Sequence, residues 1–165
     1  MHTLTLSSRL LLALALALAA VACSGADADE PWVDIGLSAG DGGLGFARLE
    51  AGGEVPLLTF GQGGTHALLA IRCAGFGRSA FVNVTITNLR TGTQVQSAPS
   101  ASPQLLICRE PEVCDLVPFL VMTGGLTEPG VERDGLPIRI DAEAHNVAGE
   151  RARTEREGVL STREL

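Results

Sequence analysis

The chain has 165 residues, 45% hydrophobic, 4% aromatic and 19% charged, with 19 acidic residues against 12 basic ones, all of them Arg. That length fits one domain of ordinary size, alone or with a tail, and argues against two full domains. Apolar content this high excludes a wholly disordered chain, and a net charge of -7 argues against nucleic-acid binding, which needs Lys and Arg to displace counterions from phosphates.

Met1 to Arg9 is a polar segment with one positive charge, and Leu10 to Ala22 is an unbroken apolar run. As a helix that run would measure roughly 20 Å, short of the roughly 30 Å hydrocarbon core of a bilayer. Its length suits a secretory h-region, and Ala20-Val21-Ala22 supplies the small-x-small pattern before a cut, so residues 1–22 read as a signal peptide. A buried core helix fails as a reading because the run is apolar all round and gives way to an acidic, Gly-containing stretch.

Cys23 follows at once. Ala20-Val21-Ala22-Cys23 resembles a bacterial lipobox, whose cysteine receives a diacylglyceryl group before cleavage exposes its amine; it departs from the usual pattern in having Ala20 where Leu is favoured. The resemblance implies a lipoprotein anchored to a bilayer through acylated Cys23. Ser24 in place of Asp implies delivery to the outer membrane. Each buried CH₂ contributes about 0.8 kcal/mol, so two or three acyl chains hold where one alone is marginal. Ordinary signal peptidase would cut the same bond, which leaves a soluble secreted domain as the alternative. Removing residues 1–22 leaves 143 residues and, with Arg9 gone, a net charge of -8. Residues 23–31 then form a small, acidic tether without apolar periodicity. Its Asp27, Asp29 and Glu30 lack the spacing and turn glycine of a calcium loop.

Residues 32–165 read as a single β domain. Val82, Val84 and Ile86 alternate with polar neighbours, as do Ile138, Ile140, Ala142 and Ala144, which predicts half-buried strands. Leu68 to Cys73 predicts a strand apolar on both faces until Arg72. Weaker candidates are Phe46 to Glu50, Val55 to Phe60, Gln104 to Cys108, Leu116 to Met122 and Arg151 to Leu160, with a short edge strand at Gln94 to Gln96. Gly-rich turns separate them, and no apolar stripe of helical period persists for three turns. Parallel sheets need covering helices, so the expectation is antiparallel. Eight or so short strands with two long connections, 91–103 and 123–136, predict a two-sheet sandwich with Greek-key connections, closed by a hairpin across Val147 to Glu150, and not a true immunoglobulin domain. It lacks the Tyr of a tyrosine corner, and Trp32 precedes the first firm strand.

The body also resembles a group of uncharacterised bacterial lipoproteins that carry immunoglobulin-like sandwiches. The matching pieces are Asp34-Ile35-Gly36, Gly61-Gln62-Gly63-Gly64-Thr65-His66 and Asn146-Val147-Ala148-Gly149. These are short turn motifs; they imply a fold and no activity.

Four cysteines in an exported chain invite pairing. With Cys23 acylated, Cys108 and Cys114 are the favoured disulfide, pinning the polar loop between them and leaving Cys73 as a buried thiol. The alternative is two disulfides that include Cys23, and hence no lipid. A zinc site is disfavoured, because Cys108 and Cys114 have five residues between them and the exported chain has only two histidines.

Catalytic strings fare poorly. Gly36-Leu37-Ser38-Ala39-Gly40 matches G-x-S-x-G, but a Gly-rich stretch follows where a nucleophile elbow needs a helix. His145 reads as part of a solvated strand face, and His66 as a ring bonded to a backbone carbonyl. Six aromatics are barely enough for the core, so stacking on sugars or bases finds little support. The sequence therefore predicts a membrane-anchored lipoprotein displaying a β-sandwich as a binding or structural module in the cell envelope. It predicts no catalytic residue, metal, cofactor or small-molecule ligand; the expected partners are the bilayer and an envelope protein. A serine hydrolase using Ser38 is the weakest alternative.

Overall fold

The computed structural model describes residues 30–39, 43–61, 64–98 and 100–162. The signal peptide, Cys23 and nearly all of the tether lie outside the described residues. A compact unit begins at Pro31, and its described residues are all-β, built from eleven strands in one connected sheet. These are β1 (Trp32–Ala39), β2 (Gly45–Arg48), β3 (Gly53–Thr59), β4 (Thr65–Ala74), β5 (Ser79–Asn88), β6 (Gln94–Gln96), β7 (Gln104–Leu105), β8 (Ile107–Cys108), β9 (Val113–Met122), β10 (Pro137–His145) and β11 (Arg151–Ser161).

Where alternation in the sequence is clean, burial follows it. Along β5, Ala80, Val82, Val84 and Ile86 are buried, and along β10 so are Ile138, Ile140, Ala142 and Ala144. The two strands pair antiparallel with Ile140 opposite Ile86 and Ala142 opposite Val84, so these buried faces coincide. β10 and β11 form the expected hairpin, whose turn is closed by the Asn146 side chain accepting from Ala148 and Glu150 N–H at 3.0 and 3.1 Å.

β4 is the trunk of the other half. It pairs with β9 along one edge; along the other it meets β3 through Thr65 to Ala67 and β1 through Ala70 to Ala74. Every residue from Ala67 to Ile71 is buried, so both faces of the strand are covered there. Inward residues from all the long strands join one core cluster, which the loop residues Leu49, Leu126 and Leu136 complete.

Several expectations are corrected. Eleven strands form where about eight were expected: one weak segment divides in two, the short edge strand Gln94–Gln96 is present, and Trp32–Ala39 adds a strand. Gln104 to Cys108 splits at Leu106, which turns inward and donates its N–H to Arg78 O at 3.0 Å while β7 pairs with β5 and β8 with β9. Trp32, expected ahead of the first firm strand, instead opens an eight-residue strand held by β4 and β2 together.

The sheet is also not wholly antiparallel, since Gly158 to Ser161 of β11 run parallel to Gly53 to Pro56 of β3. A helical crossover is unnecessary here, because the intervening strands themselves carry the chain from β3 to β11. Gly158 permits the close approach, since a Cβ there would meet the backbone oxygen of Gly53 at 2.9 Å. β3 then changes partner, from β11 up to Pro56 to β4 from Leu57 onward.

The core is aliphatic. Only Phe76 and Phe119 among the aromatics are buried, whereas Trp32 and Phe60 are 39% and 44% exposed and Phe46 and Phe81 half-buried. The expectation that the core consumes the aromatics is therefore overturned. Branched aliphatics and alanine fill the space between closely spaced strands, and aromatic surface remains available outside.

Candidate functional site

The outer face of β1 carries Trp32, Asp34 and Gly36, while Val33 and Ile35 point into the core. Asp34 is only 8% exposed, so its carboxylate must find partners within the protein. It has three. Oδ1 accepts from Ile35 N–H at 2.9 Å and from Arg156 Nη2 at 2.7 Å, and Oδ2 accepts from Arg48 Nε at 2.7 Å. Arg48 belongs to β2 and Arg156 to β11, so one carboxylate ties together strands distant in sequence.

These residues border a cleft of about 370 Å³ lined by Trp32, Val33, Asp34, Arg48, Thr154 and Arg156. The local balance is two guanidiniums against one carboxylate, a positive pocket on a chain of net charge -7. The Arg48 side chain is 60% exposed and that of Arg156 27%. Arg156 also donates from Nη1 to Glu155 O at 3.1 Å. Among the described residues, no protein acceptor meets either terminal nitrogen of Arg48.

A second charged pair stands beside the pocket. Arg72 of β4 lies opposite Asp34 in one register and opposite Asp115 of β9 in the other. It grips buried Asp115 with two bonds, Nε to Oδ1 at 2.7 Å and Nη2 to Oδ2 at 3.0 Å. Its guanidinium also stacks over the Phe46 ring at 4.5 Å. Hydrogen bonding to Asp115 raises the Arg72 pKa further above its ordinary value. Phe46 can lie flat there because β1 offers Gly36: a Cβ at that position would strike the ring at 2.6 Å.

Two other outer surfaces compare poorly. A cleft of about 170 Å³ between β5, β6, β10 and β11 contains Asp141, but Arg139 and Arg153 already occupy that carboxylate at 3.2 and 2.9 Å. Across β3, β4 and β9, Leu58, His66 and Met122 form one row, with Phe60 and Leu120 exposed beside it. That apolar strip has no convergent polar groups.

Cys108 and Cys114 are joined by a disulfide between β8 and β9. Cys73 is a buried free thiol, and it is the register partner of Cys114 on β4, so three sulfurs lie in one row across three strands. Burial pushes the Cys73 pKa from 9.0 up to about 12, and the Asp115 carboxylate adds to the effect. Cys23, the expected lipidation site, lies outside the described residues.

Ser38 sits within β1, opposite Phe46, and its buried Oγ has no hydrogen-bond partner. The two histidines are held by rings instead of by the partners the sequence suggested. His66 Nδ1 bonds to no carbonyl; its ring meets Phe60 edge-on at 5.1 Å. His145 shares a face with Asp141 and Glu143 but stacks on Phe81 at 4.9 Å, which removes it from a fully solvated role. Neither ring hydrogen-bonds to Ser38. No group of three or more potential metal ligands occurs among the described residues.

The residues that converge on the cleft were not read as a site from the sequence: Asp34 entered only within the Asp34-Ile35-Gly36 motif and Trp32 only by its place ahead of the strands. Asp34 and Arg156 are 122 positions apart, and only the alternation Trp32-Val33-Asp34-Ile35 hinted that Trp32 and Asp34 share a face. No protein-family model and no curated protein sequence matches this chain.

Proposed function

We propose that this chain is an exported, lipid-anchored module of the bacterial cell envelope that works by binding and carries its binding surface on an immunoglobulin-like β-sandwich. The observation that carries the reading is the position of Cys23: directly behind the apolar run Leu10 to Ala22 and eight residues before Pro31, where the compact unit begins. A tether of that length lets a lipid-modified cysteine and a folded β body coexist without competing for the same residues.

The sandwich with Greek-key connections is the finer part of the proposal. It is supported by two groups of paired strands, one around β4 and one around β10, whose inward residues join a single core cluster. The long connection 123–136 takes the chain from β9 in the first group to β10 in the second. Binding in place of catalysis is supported by the separation of Ser38, His66 and His145 onto three strands without mutual hydrogen bonds.

The disulfide bears on the soluble alternative. With Cys108 and Cys114 paired, a second intramolecular disulfide through Cys23 would have to reach Cys73, which is fully buried. That cost favours acylation of Cys23. Metabolic labelling with a radioactive fatty acid in a bacterial host tests the anchor: wild type takes up label and Cys23→Ala does not. An unlabelled wild type, or equal labelling of the two, refutes it.

A further inference from the structure

We infer that the cleft between β1, β2 and β11 binds a small carboxylate ligand, recognised end-on by Arg48 and stacked on Trp32. The inference rests on reading the body as a binding module and is independent of the lipid anchor.

The chemistry follows from how Arg48 is held. Its Nε is engaged by Asp34 at 2.7 Å, which fixes the plane of the guanidinium and turns its other edge away from that carboxylate. A guanidinium offers donors in a rigid fork, and the two terminal nitrogens match the two oxygens of a carboxylate. Those nitrogens have no protein acceptor among the described residues, and the Arg48 side chain is 60% exposed. Asp34 is thus a positioning residue, its own charge already met by Arg48, Arg156 and Ile35 N–H. The cleft is left with excess positive charge, whereas the chain as a whole is acidic.

Trp32 supplies the second contact. A large aromatic left 39% exposed, while the core is filled by aliphatics, offers a flat apolar surface at the same cleft. At about 370 Å³ the space accepts a single ring with substituents. The shared ligand chemistry is therefore a carboxylate carried on one flat face. A uronic acid, with a pyranose C–H face, and an aryl carboxylate both satisfy it.

Trp32 is the only Trp in the chain, so its fluorescence reports this cleft directly. The test titrates the exported chain carrying Cys23→Ser with glucuronate and with benzoate, up to about 50 mM, a range that covers weak single-ring ligands. Glucose, benzyl alcohol and inorganic phosphate serve as comparisons. The expected result is a saturable change in Trp32 emission with at least one carboxylate, the responding probe identifying sugar acid or aryl acid. Affinity should fall about tenfold or more in Arg48→Gln and in Arg48→Lys, which keeps the charge but loses the fork. Arg90→Gln, remote from the cleft, should leave it unchanged.

The inference is overturned if neither acid gives a saturable change, if the neutral analogues respond equally, if phosphate binds as tightly as the carboxylates, or if Arg48→Lys retains full affinity. Because Cys23→Ser abolishes acylation, the result is read separately from the fatty-acid experiment, and either proposal can fail alone.

Discussion

Alkaline pH perturbs this protein through one side chain. The chain contains no Lys and no Tyr, guanidinium groups as a class stay charged across the alkaline range, and Cys108 and Cys114 are oxidised. With Cys23 acylated or replaced by Ser, the side chain that titrates between pH 8 and 12 is Cys73. In the folded state burial favours its neutral thiol and pushes the pKa from 9.0 up to about 12. Below pH 9 both folded and unfolded chains carry the thiol proton, and the stabilisation is fully present. Above it the unfolded chain releases the proton first, so stability falls as pH rises, until the folded pKa is passed. At roughly 1.4 kcal/mol for each tenfold change in proton concentration, the loss is on the order of 1 kcal/mol by pH 10 and about 3 kcal/mol by pH 11. A domain with a stability of about 5–15 kcal/mol registers such a loss clearly.

Urea unfolding of the Cys23→Ser chain at fixed pH values from 8 to 11, with the disulfide checked by mass before and after, measures it. Cys73→Ala supplies the comparison. Truncating one buried sulfur costs on the order of 1 kcal/mol, equally at every pH, and flattens the alkaline limb. The reasoning is refuted by a wild type whose stability is level from pH 8 to 11, or by a Cys73→Ala variant that declines as steeply.

Replacing Cys108 and Cys114 together by Ser should lower stability by about 2 kcal/mol, the chain-entropy value for a loop this short, with urea unfolding as the measurement. Asp34→Asn leaves Arg48 and Arg156 facing a neutral amide and should cost about 1–2 kcal/mol, at the low end for a buried pair because solvent reaches both guanidiniums. A shift in the thermal midpoint measures that loss, and added salt should shrink it.

Much of the fold is written locally. β5 and β10 announce themselves because one face is solvated and one buried, so period-two alternation survives in the residue types. β4 was legible as an apolar run for the opposite reason, both of its faces being covered, with a buried residue at every position from Ala67 to Ile71. β1 was harder to read. Gly36 and Ser38 interrupt its apolar pattern, yet the glycine is there to admit the Ala47 backbone oxygen and the Phe46 ring, a requirement set by a neighbouring strand. The parallel contact between β3 and β11 leaves no local trace, since both partners also look like ordinary antiparallel strands and the glycines at their junction resemble turn residues.

The site divides along the same line. The Cys108–Cys114 bond could be read because the two sulfurs are close in sequence, and closing a short loop depends mainly on local chain geometry. The Asp34 cluster could not, because a lone Asp and two lone Arg residues on weakly predicted strands are individually indistinguishable from solvated surface charge. What separates them is burial: at 8% exposure the Asp34 carboxylate needs partners within the protein, and those partners arrive only when β2 and β11 are brought to β1. Trp32 illustrates the same dependence. Counting six aromatics in the sequence suggested that the core would absorb them, but the close β4–β9 and β5–β10 packing is filled by Ile, Val, Leu and Ala. The indole is consequently left outside, at the same cleft as the Arg48 guanidinium, whose terminal nitrogens meet no protein acceptor among the described residues. Charge and aromatic surface meet at this cleft because of how the strands are ordered, and no segment of the chain encodes that meeting by itself.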